Sequence, residues 1–177
     1  MVLSFPKPLS KMELNELFIE ALGKSVQWHS GINTFPLECD IGTVTISKFR
    51  VYLYTVTRQH GGRPQDEYKI QVILPGQKSH TKMSLDASNG RYPILGGLSR
   101  DFGAFVFWDA SLYSGFSYSR NMQVKEKTLA ESLSAKISLQ ERWLRQSASR
   151  EKEHILACQP RNLESCLDMR LLGVFSD

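Results

Sequence analysis

Residues 43–57 read TVTISKFRVYLYTVT, a run dense in β-branched and aromatic side chains with no glycine or proline. Such side chains lose rotamer freedom in a helix and pack well on a pleated surface, so this run predicts one long strand. The apolar phase shifts between Ile46 and Phe49, which calls for a bulge or for burial on both faces. A strand this long needs partners. Residues 68–74 alternate Tyr68, Ile70 and Val72 with Lys69, Gln71 and Ile73. Shorter strands are expected near 81–85, 92–95, 104–108 and 154–158. Pro75-Gly76 and Arg100-Asp101 punctuate them, and Gly96-Gly97 reads as a strand bend.

Helices frame this β pattern. Ser10 and Glu13 have capping-box spacing, Leu14, Leu17, Phe18, Ala21 and Leu22 recur at helical intervals, and Gly23 is a stop. That predicts a helix over 10–23. Residues 25–42, broken by Gly31, Pro36 and Gly42, read as irregular. Residues 125–135 predict a helix with Leu129, Ala130 and Leu133 on one face. Ser138 and Glu141 form a second capping box, so the charged run 138–152 is expected to start as helix. Pro160 suits the first turn of a final helix over about 160–172, lined by Leu163, Cys166, Leu167 and Leu171. The expected fold class is mainly β with flanking helices (α+β), mostly antiparallel. The expected organisation is a single domain over 1–177 with its β core at about 40–160. No βαβ rhythm appears, which argues against a Rossmann-like enzyme.

With 177 residues and 41% hydrophobic content, the chain can bury one real core. No run of about eighteen apolar residues is present, so no membrane partner is expected. The opening MVLSFPKPLSK lacks the apolar centre of a secretory signal. Cys39, Cys158 and Cys166 are odd in number and widely spaced, without zinc-ligand spacing, and so point to a reducing, cytoplasmic compartment. A net charge of +4 and a pI of about 9.0 permit a polyanionic partner without demanding one.

Three polar segments stand out from the core pattern. The first is RQHGGRPQ, with Arg58, His60, Arg63 and Gln65 around a Gly61-Gly62 pair that lets a ligand approach the backbone, followed by Lys69. Pro64 stiffens this loop and biases Arg63 to an extended backbone. The second runs WDASLYSGFSYSRNMQV, in which Ser117, Tyr118, Ser119, Arg120, Asn121 and Gln123 offer hydroxyls, a guanidinium and two amides. Between them lies KSHTK, with Lys78 and Lys82. These are the groups that hold phosphates and read base edges, although solvated turns are often just as polar. Strand alternation sets Ser117, Ser119, Asn121 and Gln123 on one face and Tyr118, Arg120 and Met122 on the other, so an irregular start with Arg120 near the tip is expected.

Two other chemistries compete. Glu67-x-Lys69 with an upstream Asp40 would suit a Mg²⁺-dependent nuclease, the carboxylates holding the ion and the lysine orienting water. Tyr113, Phe116 and Tyr118, if exposed, would suit a protein-interaction surface. No Ser-His-Asp order, nucleophile elbow or phosphate-cradling glycine loop appears, and His29 and His154 lack paired ligands. Trp28 and Trp143 read as core or surface-packing residues. No metal and no cofactor is expected.

The segments RPQDEYKIQVILPGQ and AFVFWDASLYSGFSYSRNMQVKEKTL, in this strand order, resemble the DNA-binding pseudobarrel. Plant hormone-response transcription factors and the effector or target-recognition domains of restriction endonucleases share that fold, and the chain is closer to the latter. The resemblance spans roughly residues 40–160. It implies a seven-stranded, antiparallel, open pseudobarrel whose two arms grip the major groove of double-stranded DNA. The first arm would be Arg58 to Gln65, and the second Asp109 to Asn121 with Gln123. It further implies a non-catalytic target-recognition module of a restriction–modification system, fused to or partnered by a nuclease or motor.

Overall fold

The computed structural model describes residues 7–58, 64–145, 150–173 and 175. Helix α1 (Lys11–Leu22) opens with the expected box: Ser10 Oγ accepts from the Glu13 amide at 3.2 Å and Glu13 accepts from the Ser10 amide at 2.7 Å. Two strands follow, β1 (Val26–His29) and β2 (Leu37–Ile41), where the sequence suggested irregular chain. They are short and broken by a turn, and their alternation shows only in the burial of Leu37, Cys39 and Ile41.

The long strand is β3 (Ser47–Arg58). Its run from Phe49 to Val56 is buried on both faces: Phe49, Val51 and Leu53 face one hydrophobic cluster, Tyr52, Tyr54 and Val56 the other. The phase shift between Ile46 and Phe49 marks the strand's start, since Val44 and Ile46 precede it and are exposed. The further strands are β4 (Glu67–Val72), β5 (Lys82–Met83), β6 (Tyr92–Ser99), β7 (Ala104–Trp108), β8 (Phe116–Ser117) and β9 (Arg120–Lys125). After helix α2 (Glu126–Glu131) come β10 (Ser138–Arg145), β11 (Arg150–Cys158) and helix α3 (Leu163–Leu172).

Among the described residues nine strands form one branched sheet in the order β1-β2-β3-β6-β7-β11-β10, with β4 joining β3 and β9 joining β4; β5 and β8 pair separately. The sheet is mixed, not antiparallel throughout: β3 and β6 run parallel, Phe49 beside Tyr92 through Val56 beside Ser99. The described strands also outnumber the seven expected. One cluster fills the space enclosed by β3, β4, β9, β11, β7 and β6 around Trp108 and Ile70. The second lies between the outer sheet face and helices α1 and α3, around Phe18, Phe105 and Leu167.

Two local expectations change. Residues 138–145 are strand, because each pairs with β11 from Ser138–Ala157 to Arg145–Arg150, and long-range pairing overrides a local cap signal. Ser138 Oγ donates to the Thr128 carbonyl at 2.6 Å instead of capping a helix. Gly96 and Gly97 lie inside regular β6. A Cβ on Gly96 would meet Phe107 Cδ1 at 2.5 Å and one on Gly97 would meet Val56 Cγ2 at 2.7 Å, so close packing requires both.

Candidate nucleic-acid interface

Strands β4 and β9 build the site. Their antiparallel register sets Glu67 opposite Lys125, Lys69 opposite Gln123 and Gln71 opposite Asn121. The intervening pairs, Tyr68–Val124 and Ile70–Met122, point into the core and are fully buried. The outer face is therefore a two-stranded polar wall about 17 Å long at the usual strand rise. Its side chains bond to one another. Lys69 Nζ donates to Asn121 Oδ1 at 3.3 Å, Gln71 Nε2 donates to Ser119 Oγ, and Lys125 pairs with Glu67 at 2.8 Å.

The sequence-predicted residues distribute along this wall. At one end, Arg58 Nη2 donates to Tyr68 Oη at 2.8 Å and lies 3.4 Å from Glu126; its Nη1 donates to the Gln65 carbonyl at 3.3 Å. Tyr68 Oη in turn donates to Asp101 at 3.1 Å. Gln65 is exposed, and His60 and Arg63 lie outside the described residues. At the other end, β5 pairs with β8, bringing Lys82 beside Ser117, and the Tyr118 amide donates to the Thr81 carbonyl at 3.1 Å. Lys78 and Tyr118 are exposed there, with His80 in the same shallow depression. Ser119 has a left-handed backbone (φ 63°), which supplies the irregular start expected before Asn121.

Arg120 lies on the inward-facing side, opposite Val72, with its guanidinium 4.8 Å from the Tyr113 ring centroid and 5.8 Å from that of Phe116. The register has a further consequence: the Arg58 end and the 109–119 connection leave the β4–β9 pair at opposite ends, with the wall between them.

Sequence reasoning missed the groove beside this wall. Strand β3 pairs with β2 only at Ser47 to Val51 and with β4 only at Thr57 and Arg58, so β4 splays away from its middle. The resulting groove of about 660 Å³ is lined, among the described residues, by Lys7, Lys11, Arg58, Lys69 and Arg100, against one acid, Asp101. Lys11 Nζ donates to the Leu53 carbonyl at 2.5 Å and lies 3.3 Å from the Tyr54 ring centroid. Burial pushes its pKa down to about 7. The signal was the free edge of a strand longer than its neighbours, which no local pattern reports.

The competing chemistries find different geometry. Asp40 sits opposite Lys48 and Glu67 next to the residue opposite Arg58, about 30 Å apart along β3 at the usual rise. Asp40 is paired with Arg91 at 2.9 Å and Glu67 with Lys125, so the nuclease triad is not assembled. Among the described residues no cluster of three or more His, Cys, Asp or Glu could hold a metal. Tyr113 and Phe116 are buried and stacked 5.4 Å apart, so they are core residues, not interaction anchors.

The class is thus a mainly β, α+β protein with a mixed sheet and a polar two-stranded wall beside a basic groove; no described helix is long and apolar enough to cross a membrane. The chain belongs to the Methylase-associated X1 family, whose model matches residues 47–167. That association points to a restriction–modification role. No curated protein and no solved structure matches the chain.

Proposed function

We propose that this chain is a sequence-specific, double-stranded DNA recognition module of a restriction–modification system, non-catalytic by itself and working beside a methylase, nuclease or motor. The observation that carries this reading is the β4–β9 wall. It presents amide, hydroxyl and ammonium groups on two adjacent strands, beside a groove lined among the described residues by Lys7, Arg58, Lys69, Arg100 and the half-buried Lys11 against one acid, Asp101. A two-stranded ribbon fits the major groove, where Asn and Gln pair with adenine and cations take phosphates. Asn121, Gln71 and Gln123 would read bases; Lys69, Arg100 and Lys11 would follow the backbone. Arg58, with His60, Arg63 and Gln65, would hold one end of the duplex, and Lys78, Lys82, Ser117, Tyr118 and Ser119 the other, with Arg120 bracing that end from the inward face.

We also read the circuit β3-β4-β9-β10-β11-β7-β6 as an open pseudobarrel. Its seam between β9 and β10 is crossed by side chains, not by a ladder: the Lys125 amide donates to Gln140 Oε1 at 2.9 Å and Arg142 Nη1 to the Gln123 carbonyl at 3.5 Å. The test is a selection of bound duplexes from a random pool. An enriched motif supports specific recognition. Binding that ignores sequence reduces the module to a backbone clamp, and absence of binding refutes the proposal. Incubation of plasmid with Mg²⁺ or Mn²⁺ should leave it uncut.

A further inference from the structure

Strand β11 pairs with β7 only from Leu156 to Cys158, so residues before 156 have β10 as their one ladder partner and the β10–β11 pair projects as a ribbon. Its two faces differ. Arg142 and Glu153 point inward, where the Glu153 carboxylate is fully buried and takes Arg142 at 2.6 Å. The opposite face pairs Trp143 with Lys152 and Arg145 with Arg150. Trp143 is 61% exposed, more than any other large hydrophobic residue among those described except the loop residue Val44 and Leu172 near the C-terminus. Lys152 Nζ lies 5.9 Å from its ring centroid. Among the described residues the only acid on this face is Glu141, already held by Lys152 at 2.5 Å and by His154 at 3.2 Å. Among the described residues Arg145 and Arg150 have no acidic partner.

The ribbon is next to the proposed DNA wall. Gln140 reaches Lys125 and Arg142 reaches Gln123, so β10 runs alongside β9 on the side away from β4. The wall is therefore flanked by the basic groove on one side and by this face on the other. An exposed indole among cations is the chemistry that meets a nucleic acid, where the ring packs on base or sugar and the cations neutralise phosphates.

We propose that the outer face of the β10–β11 ribbon is a second DNA contact, in which Trp143 packs against the nucleic acid and Arg145 and Arg150 each hold a phosphate. This rests on the DNA-binding reading above and adds a contact to it.

The test titrates full-length protein with the selected duplex, following tryptophan fluorescence and the salt dependence of binding. Trp143 emission should be quenched on binding, and Trp143→Phe should remove that quenching. The double variant Arg145→Gln/Arg150→Gln should bind more weakly, with a log–log salt slope smaller by about 1.8, since each phosphate contact contributes about 0.9. Both positions are exposed, so the fold is retained, which circular dichroism checks. If Asn121→Ala weakens binding while both ribbon variants behave as wild type, the ribbon proposal is overturned and the wall reading stands. Unchanged salt slope with lost association to a methylase would mark the face as a protein contact, which also overturns it. If the wild-type chain binds no duplex, the DNA reading itself falls, and the ribbon proposal with it.

Discussion

Tyr113 Oη donates to Glu153 Oε2 at 2.5 Å, joining the 109–119 connection to the ribbon through a carboxylate with no exposed surface. Arg142 completes the group, 2.6 Å from Glu153 Oε1 and 3.1 Å from Tyr113 Oη. Burial and the neighbouring Glu153 charge both raise the Tyr113 pKa, so the phenol stays a donor. The group fixes the connection that leads into β8 and β9. Glu153→Gln should therefore destabilise the fold, because it leaves the Arg142 charge without its partner. About 3 kcal/mol is expected, the low end for breaking a buried pair, since Arg142 keeps some contact with water. Urea unfolding would measure it, and a loss under 1 kcal/mol would show that the group contributes little.

Close approach of β3, β4 and β6 makes a second stability prediction. A methyl on Gly97 would lie 2.7 Å from Val56 Cγ2 and 2.8 Å from Ile70 Cγ2, inside the core that supports the β4–β9 wall. Gly97→Ala should cost about 1–3 kcal/mol by overpacking. Thermal unfolding with an unchanged midpoint would contradict it.

Lys11 links stability to pH. Its folded pKa is about 7, well below the value of 10.5 expected when exposed, because burial disfavours the ammonium. Between these values the unfolded chain binds more protons than the folded one, so this group makes stability rise with pH from about 7 to 10.5; below pH 7 its contribution is flat. The stabilisation present above the unfolded pKa is lost as pH falls to the folded one. Lys11→Met should reduce the slope of stability against pH in that window. An identical slope in the variant would place the ammonium in water.

The elements that announced themselves are those whose signal is local. Ser10 and Glu13 cap α1 as read, and the alternation of Tyr68, Ile70 and Val72 appears as the buried face of β4. The 43–57 run holds its strand from Ser47; the phase shift between Ile46 and Phe49 marks where the exposed residues 43–46 end, and the run from Phe49 on is buried on both faces. What stayed hidden depends on distant partners. Ser138 and Glu141 have capping spacing, yet ladder bonds to Ala157 and His154 decide the matter. Tyr113 and Phe116 sit in a polar stretch, but they stack on each other in the core. The wall was legible in part: Asn121 and Gln123 were singled out on one face of β9, whereas Gln71 joins them only because β4 is the neighbour. Arg100 and Lys11 come to the groove from elements far from either polar segment.

The geometry also divides labour between two adjacent residues. Arg120 and Asn121 are equally suited by type to base readout, but they lie on opposite faces of β9. Asn121 is exposed on the outer face, where it accepts from Lys69 and stands opposite Gln71. Arg120 is half-buried, and its guanidinium over the Tyr113 and Phe116 rings helps hold the 109–119 connection. Under the DNA reading, Asn121→Ala should lose preference for the selected duplex, about 1–3 kcal/mol if it pairs with one adenine, with little change on scrambled DNA. Arg120→Ala should weaken binding to both duplexes to a similar extent and lower the unfolding midpoint as well, because it removes a stacked side chain from the base of the wall. Parallel titrations of both variants on selected and scrambled duplex separate the two roles. If Arg120→Ala abolishes preference while Asn121→Ala leaves it intact, base readout belongs to the inward face, and the 109–119 connection must open to expose it. If neither variant shifts binding on either duplex, the β4–β9 wall is not where DNA is read.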